Sequence, residues 1–223
     1  MAIRTELDEI QGIVKRTMAN LVAFNGMAGR SGADVRYLCG DMAVRAPTYL
    51  VNGTFAQRLL ACFRAATTAG ISLDWMDRVL DGLVAEKPIA LTATIVMQNS
   101  LIFGLAQEGR IIGATTYVSR NDVDAVMKRM KDRFDVIRDI IADETSGPGF
   151  EAFVELTAGI TRYLSDVARP LPRMLTYQMR IPLPALAITQ FIYGDGSRDE
   201  EIAAENKVVH PAFCRMQIRA LSA

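Results

Sequence analysis

The sequence predicts a mainly α protein: a helical body over residues 1–170, built as an antiparallel helix bundle, then a small βααβ module over residues 171–223. Three observations carry that reading. Apolar residues recur at steps of three and four through most of the first part, the spacing that gathers them on one face of a helix. Two runs of period two, Met174–Ile181 and Arg215–Leu221, bracket two short helical stretches near the end of the chain. Between body and module stands Pro170-Leu171-Pro172, which stops a helix and forces an extended exit.

In chain order, Ile3, Leu7, Ile10, Val14, Met18 and Leu21 form one narrow stripe on a first amphipathic helix that ends near Phe24. The opposite face carries Arg4, Glu6, Asp8, Glu9, Lys15 and Arg16. Such a stripe packs against another helix, in this chain or in a second copy, so Ile3, Leu7, Ile10 and Val14 are a candidate oligomerisation seam. The glycine-rich segment from Asn25 to Gly32 ends this helix. A second helix is expected from Ala33 to Val51, interrupted or bent at Pro47. Asn52-Gly53 then marks a boundary, with Thr54 as N-cap of a helix from Phe55 to Ala69 that Gly70 closes.

Ser72 and Leu73 open a short helix to about Ala85, in which the single tryptophan, Trp75, reads as a core anchor. Pro88 is placed to begin the next helix, which runs to around Val118 with apolar residues on most faces. That pattern makes it the buried centre of the body, where Gly104, Gly109 and Gly113 allow close helix approach or a break. Ser119 to Asp122 supplies caps for a charged helix from Asn121 to Asp143. Its apolar residues Val123, Met127, Met130, Phe134, Ile137 and Ile141 keep a heptad seam, the second candidate for assembly. Around it, mixed charges that include Arg133 read as a solvated face, with Asp124 and Lys128 a favourable pair. A turn at Thr145-Ser146-Gly147-Pro148-Gly149 leads to a helix through Phe150, Phe153, Ile160 and Leu164, closing a helical hairpin.

Composition removes several function classes. The chain is 50% hydrophobic and 22% charged, with 25 basic residues against 25 acidic ones. No net field attracts a polyanion, so direct nucleic-acid binding is not expected. Cys39, Cys62 and Cys214 are widely separated and a lone His210 completes no zinc set, so free buried thiols and no metal or other cofactor are expected. The N-terminus is charged from Arg4 and carries no secretory pattern. Pro88 to Gln107 is free of formal charge and long enough to span a bilayer, but its polar residues and missing aromatic belt favour a buried helix over a membrane span. No nucleophile elbow, phosphate loop or metal-spaced histidine pair is present, so no enzyme is expected.

In the module, Leu175, Tyr177 and Met179 fall on one face of the first strand, and Met216 and Ile218 on one face of the last. Pro184 opens a helix containing Leu186, Ile188, Phe191 and Ile192. Ser197 with Glu200 forms a capping box for a second helix, which Asn206 ends. The acids Asp199, Glu200 and Glu201 sit at that helix start, where the dipole favours them without any catalytic role. His210, just before Pro211, reads as a turn residue whose side chain hydrogen-bonds locally.

A strand–helix–helix–strand order of this size resembles a LysM-like module. More specifically, Leu183-Pro184-Ala185, Tyr193-Gly194-Asp195, Arg198 with Glu200 or Glu201, Asn206, and His210-Pro211 with Phe213 resemble the C-terminal end of the DNA-circularisation proteins of Mu-like phages, which are tail and baseplate components. The resemblance covers the module by motif and the helical body only in general character. It departs from that family in two places: the usual proline-glycine turn before the last strand is replaced by Cys214-Arg215-Met216, and the large N-terminal domain has no counterpart, so the chain reads as a short version or a separate gene product.

The resemblance implies a non-enzymatic structural protein of a phage or prophage-derived contractile tail, ring-forming and associated with the hub. It would be assembled in the bacterial cytoplasm and located in the virion, with tube, hub or wedge proteins and further copies of itself as partners. Tyr193, Asp195, Arg198, Glu201, Asn206, His210 and Phe213 are then the candidate docking residues. Two other readings stay open. One is a LysM module holding peptidoglycan through the turns Gly194–Arg198 and Asn206–Val209, whose only aromatic neighbour is Tyr193. The other is a protein that binds or circularises DNA ends.

Overall fold

The computed structural model describes residues 2–24, 26–142 and 147–222, with side chains from Arg4 onward. Asn25, Asp143, Thr145, Ser146 and the Ile3 side chain, all named above, lie outside the described residues. The element order is α1 (Ala2–Val22), α2 (Gly29–Val51), α3 (Phe55–Thr68), α4 (Leu73–Val84), α5 (Leu91–Ala114), α6 (Arg120–Ala142), α7 (Gly147–Ala168), β1 (Met174–Gln178), α8 (Ala185–Tyr193), α9 (Asp199–Glu205) and β2 (Gln217–Leu221). The protein is therefore mainly α, with one small antiparallel sheet near its C-terminus.

Two compact units divide the chain: residues 1–115 with 131–161, and residues 116–130 with 162–223. The C-terminal unit is thus larger than a division at residue 170 would make it. The reason lies in its backbone: the Arg120 N–H donates to the Pro172 carbonyl at 2.8 Å, and the Met174 N–H to Asn121 Oδ1 at 2.8 Å. The start of α6 anchors the strand that opens the module.

In the first unit, α5 is the buried centre that its even hydrophobicity predicts, packed by α1, α3 and α4. No helix among the described residues is long and apolar enough to cross a membrane. Gly104 supplies a close approach and the rod is unbroken: a Cβ there would lie 2.3 Å from Leu80 Cδ2. The helix starts at Leu91, not at Pro88. Its entry is set from α1, where the Glu9 carboxylate accepts from the N–H groups of Ile89 (2.6 Å) and Ala90 (3.0 Å). Glu9 is a cap reaching across from another helix, a role that spacing along α1 cannot reveal.

Proline 47 neither breaks nor ends α2. Having no N–H, it leaves the Ala43 carbonyl without its intrahelical donor. Gln11 Nε2 on α1 donates to the carbonyls of Ala43 (3.4 Å) and Val44 (3.3 Å), so the neighbouring helix replaces the lost partner. Thr54 occupies the N-cap of α3 without a cap hydrogen bond, whereas Ser72 caps α4 by accepting from the Trp75 N–H at 3.2 Å. Trp75 is half-buried; it stacks near Phe24 and donates to the Asn20 carbonyl at 2.8 Å, tying α4 to α1. Gly147-Pro148-Gly149 is the first turn of α7 and not a loop, with Pro148 where a missing donor costs nothing. Phe134 on α6 meets Phe153 on α7 edge-to-face at 6.4 Å, as a helical hairpin requires.

Arg133 is the largest departure from the solvated face expected of α6. Its side chain is 12% exposed and lies 3.1 Å from Asp77 and 2.5 Å from Asp81, both on α4. Burial opposes its charge, but the hydrogen bond to Asp81 and the fields of Asp77 and the fully buried Glu108 outweigh that and raise the guanidinium pKa. A period of 3.6 assigns faces from apolar residues alone, and so misplaces an arginine that is buried by pairing.

Two outcomes test this account. Gln11→Ala should lower stability by about 1 kcal/mol in a urea titration, and the loss should shrink in a Pro47→Ala background, where α2 regains its own donor. Arg133→Leu should cost about 3–5 kcal/mol at neutral pH, because the carboxylates of Asp77 and Asp81 lose the guanidinium they pair with. With the arginine gone, those carboxylates keep the desolvation cost of their charge without that pairing. The deficit should therefore narrow as pH falls toward about 4, where protonation relieves them.

Candidate functional site

The C-terminal module follows the expected β1-α8-α9-β2 order, with β1 and β2 antiparallel from Met174↔Leu221 to Gln178↔Gln217. Its core is Met179, Ala185, Ile188, Ile202, Cys214, Ile218 and Ala220. Leu175 and Met216, on the faces that period two turns inward, are instead 41% and 47% exposed. They lie at the ends of a sheet too small for the helices to cover along its whole length.

Asn206 closes this unit. Its Nδ2 donates to the carbonyls of Ile202 (2.9 Å) and Arg219 (2.8 Å), and its Oδ1 accepts from the Arg219 N–H (2.8 Å). The side-chain amide thereby pairs with β2 on the side away from β1, as a neighbouring strand would. Asn206 itself is not left-handed; the positive φ, 49°, falls on Lys207, one residue later. The capping box is absent as well. Ser197 donates its N–H and Oγ–H to Asp195 Oδ1 (2.8 and 2.6 Å), and Arg198 holds the N-cap position of α9 without a side-chain capping bond. The N-cap position falls one residue after the serine, whose hydroxyl is turned back toward Asp195.

The other docking candidates divide into two groups. Tyr193, Arg198 and Glu201 form a chain within the module. The Tyr193 hydroxyl donates to the Leu221 carbonyl (3.0 Å), the Arg198 guanidinium lies 4.2 Å from the Tyr193 ring centre, and it pairs with both oxygens of Glu201 (2.9 and 2.8 Å). Burial raises the Tyr193 pKa, and the Ser197 hydroxyl, then its N–H, lowers that of Asp195. These residues hold the fold. His210 and Phe213 differ: both are exposed, with ring centres 5.8 Å apart. His210 Nδ1 accepts from the Ala212 N–H at 3.2 Å, the local bond expected of a turn residue.

Two features of this unit come from parts distant in sequence. Phe191, Val209 and Leu186 stand exposed with Phe213. A groove of about 300 Å³ lies along α9 and β2, floored by Met174, Ile202 and Leu221 and edged by Glu201, Glu205 and Arg219. Phe191 and Leu186 share a short apolar helix with Ile188, which suggests core; α8 has only one covered face, and they are not on it.

Among the described residues, the chain itself covers much of the two helical seams. In α1, Ile10 and Val14 are buried and Leu7 is half-buried, with α2, α4 and α5 packed against the helix. In α6, Val123, Met130 and Ile137 are buried and Met127 and Phe134 partly so. The buried positions among them are not free for a second copy. Cys39, Cys62 and Cys214 are free and buried, and a thiol–thiol hydrogen bond to Cys62, together with burial, raises the Cys39 pKa. Among the described residues no cluster of histidine, cysteine, aspartate or glutamate could hold a metal ion.

Asn206→Ala should cost about 1–3 kcal/mol and speed hydrogen exchange at the Arg219 amide. Asn206→Asp, which keeps the acceptor for that amide and loses the donor, should fall between. Equal exchange in all three proteins would show that Asn206 does not hold β2.

No family model matches the chain, and no curated protein matches it either.

Proposed function

We propose that this protein is a non-enzymatic structural component of a phage or prophage-derived contractile tail or baseplate, whose C-terminal module docks on a neighbouring tube, hub or wedge protein. One observation carries the reading. The polar constellation of the module is engaged in its own hydrogen bonds, while large apolar side chains stay in solvent: Phe191 at 75%, Phe213 at 74% and Val209 at 101% exposure. A unit whose polar docking candidates are mostly bonded internally, with aromatic and aliphatic side chains left outside, is suited to another protein surface more than to a hydrophilic glycan or a phosphate backbone. The motif resemblance of 183–213 to the Mu-like proteins supplies the setting: assembly in the host cytoplasm, then residence in the virion.

Docking in this form predicts a separation of folding from assembly. Phe213→Asp and Val209→Asp should leave the melting temperature of the purified protein within about 2 °C, since surface substitutions rarely exceed ±0.5 kcal/mol. The same variants should be lost from purified particles, as read by mass spectrometry. Absence of the unsubstituted protein from both particles and tail intermediates overturns the proposal. Retention on peptidoglycan would favour the glycan-binding reading, and salt-sensitive retention of linear DNA the DNA-end reading.

A further inference from the structure

The two-stranded sheet has two outer edges, and side chains of this unit cover the middle of only one of them, β2. The Ser222 N–H donates to the Arg173 carbonyl at 2.7 Å and the Met179 N–H to the Met216 carbonyl at 2.6 Å. With the observed register, Arg173, Leu175, Tyr177 and Met179 therefore turn their backbone groups toward β2, and Met174, Thr176 and Gln178 turn theirs away. On the β2 side, Asn206 takes the outward groups of Arg219. On the β1 side, Asn121 takes the Met174 N–H. Among the described residues no hydrogen bond reaches the outward N–H and C=O groups of Thr176 and Gln178, and both residues are exposed.

We propose that this edge pairs with itself: β1 of one chain lies antiparallel to β1 of a second copy, about a two-fold axis at Tyr177. The result is a continuous sheet in the order β2-β1-β1-β2. In this register Thr176 stands opposite Gln178 of the second copy, and each donates its N–H to the other's carbonyl. The residues whose groups are open are thus the ones that satisfy one another. A register centred on Thr176 pairs Gln178 with Met174, whose N–H Asn121 already holds, and leaves the Gln178 carbonyls without a donor; centred on Tyr177, only the outermost Met174–Arg180 pair loses that bond.

Side chains agree with the same axis. Tyr177 faces Tyr177 at a position without backbone hydrogen bonds, where opposed side chains come closest and an aromatic pair is favourable. Leu175, 41% exposed in the single chain, falls beside Met179 of the second copy. The strand Met174–Gln178 carries no charge, so no like charges are opposed within the paired segment. That self-complementarity favours a second copy over any other strand, since a two-fold contact requires one patch to match itself. The inference is separate from the tail assignment and is tested on the isolated protein.

So short a contact belongs to weak association, with Kd of roughly 1 µM to 1 mM. Sedimentation velocity of the full chain from about 10 µM to 1 mM should show a monomer–dimer equilibrium across that range. Thr176→Pro removes an outward N–H and no ladder bond, and should weaken the dimer by at least about tenfold; a thermal melt checks that the variant folds. On the unsubstituted protein, amide exchange at Thr176 and Gln178 should slow as concentration rises, a readout independent of any variant. A chain that stays monomeric at about 1 mM overturns the proposal and leaves the edge to a strand from a different protein. A dimer in which those amides gain no protection overturns it too, by placing the contact elsewhere.

Discussion

The module depends on the amide of Asn206. A two-stranded sheet has no interior strand, so each strand has one row of backbone groups without a partner in the sheet. Burying such groups unpaired costs free energy on the scale of a lost hydrogen bond. Asn206 meets this need at the middle of β2 by offering one donor and one acceptor to Arg219, while its remaining donor holds the last turn of α9. Strand and helix are thereby fixed to each other by one side chain. The small core of Ile188, Ile202, Cys214 and Ile218 packs within the frame so formed. Ser222 and Arg173 continue the ladder past the strand ends, and the Tyr193 hydroxyl takes the Leu221 carbonyl.

The same principle runs through the helical unit. A proline in α2 orphans a carbonyl, and a glutamine on α1 supplies the donor. The chain entering α5 exposes two N–H groups, and a glutamate on α1 accepts both. Arg133 leaves solvent for a cluster of carboxylates that would be costly alone. In each case one element carries a backbone or charge deficit and another, distant in sequence, removes it. α1 does this twice, so its polar face holds neighbouring helices just as its apolar face does.

This pattern sorts the docking candidates chemically. Tyr193, Asp195, Arg198 and Asn206 are bound to their own neighbours. A functional role through them would act by positioning the module, not by touching a partner. Glu201 is shared between Arg198 and the groove beside α9. His210 and Phe213, with Phe191 and Val209, are what a partner would meet. The chain offers it apolar surface, and with balanced charge its long-range steering is weak.

The order of elements was legible in the sequence because period and punctuation are local. The stripe from Ile10 to Leu21, the serine before Leu73, the glycine after Ala69 and the prolines after Ala168 each act within a few residues, and the helices lie close to where those signals put them. The βααβ order was legible for the same reason. Whether a heptad seam is closed in one chain or between two was not, since the stripe is identical in both cases. Nor were the bonds from Gln11, Glu9, Arg133 and Asn206, each of which joins residues on different elements. Sequence alone determined which residues form helices and strands, because those choices rest on neighbours along the chain. Tertiary structure decided which polar groups are used and which apolar ones stay outside, because a hydrogen bond or a covered face needs a partner that only folding brings near.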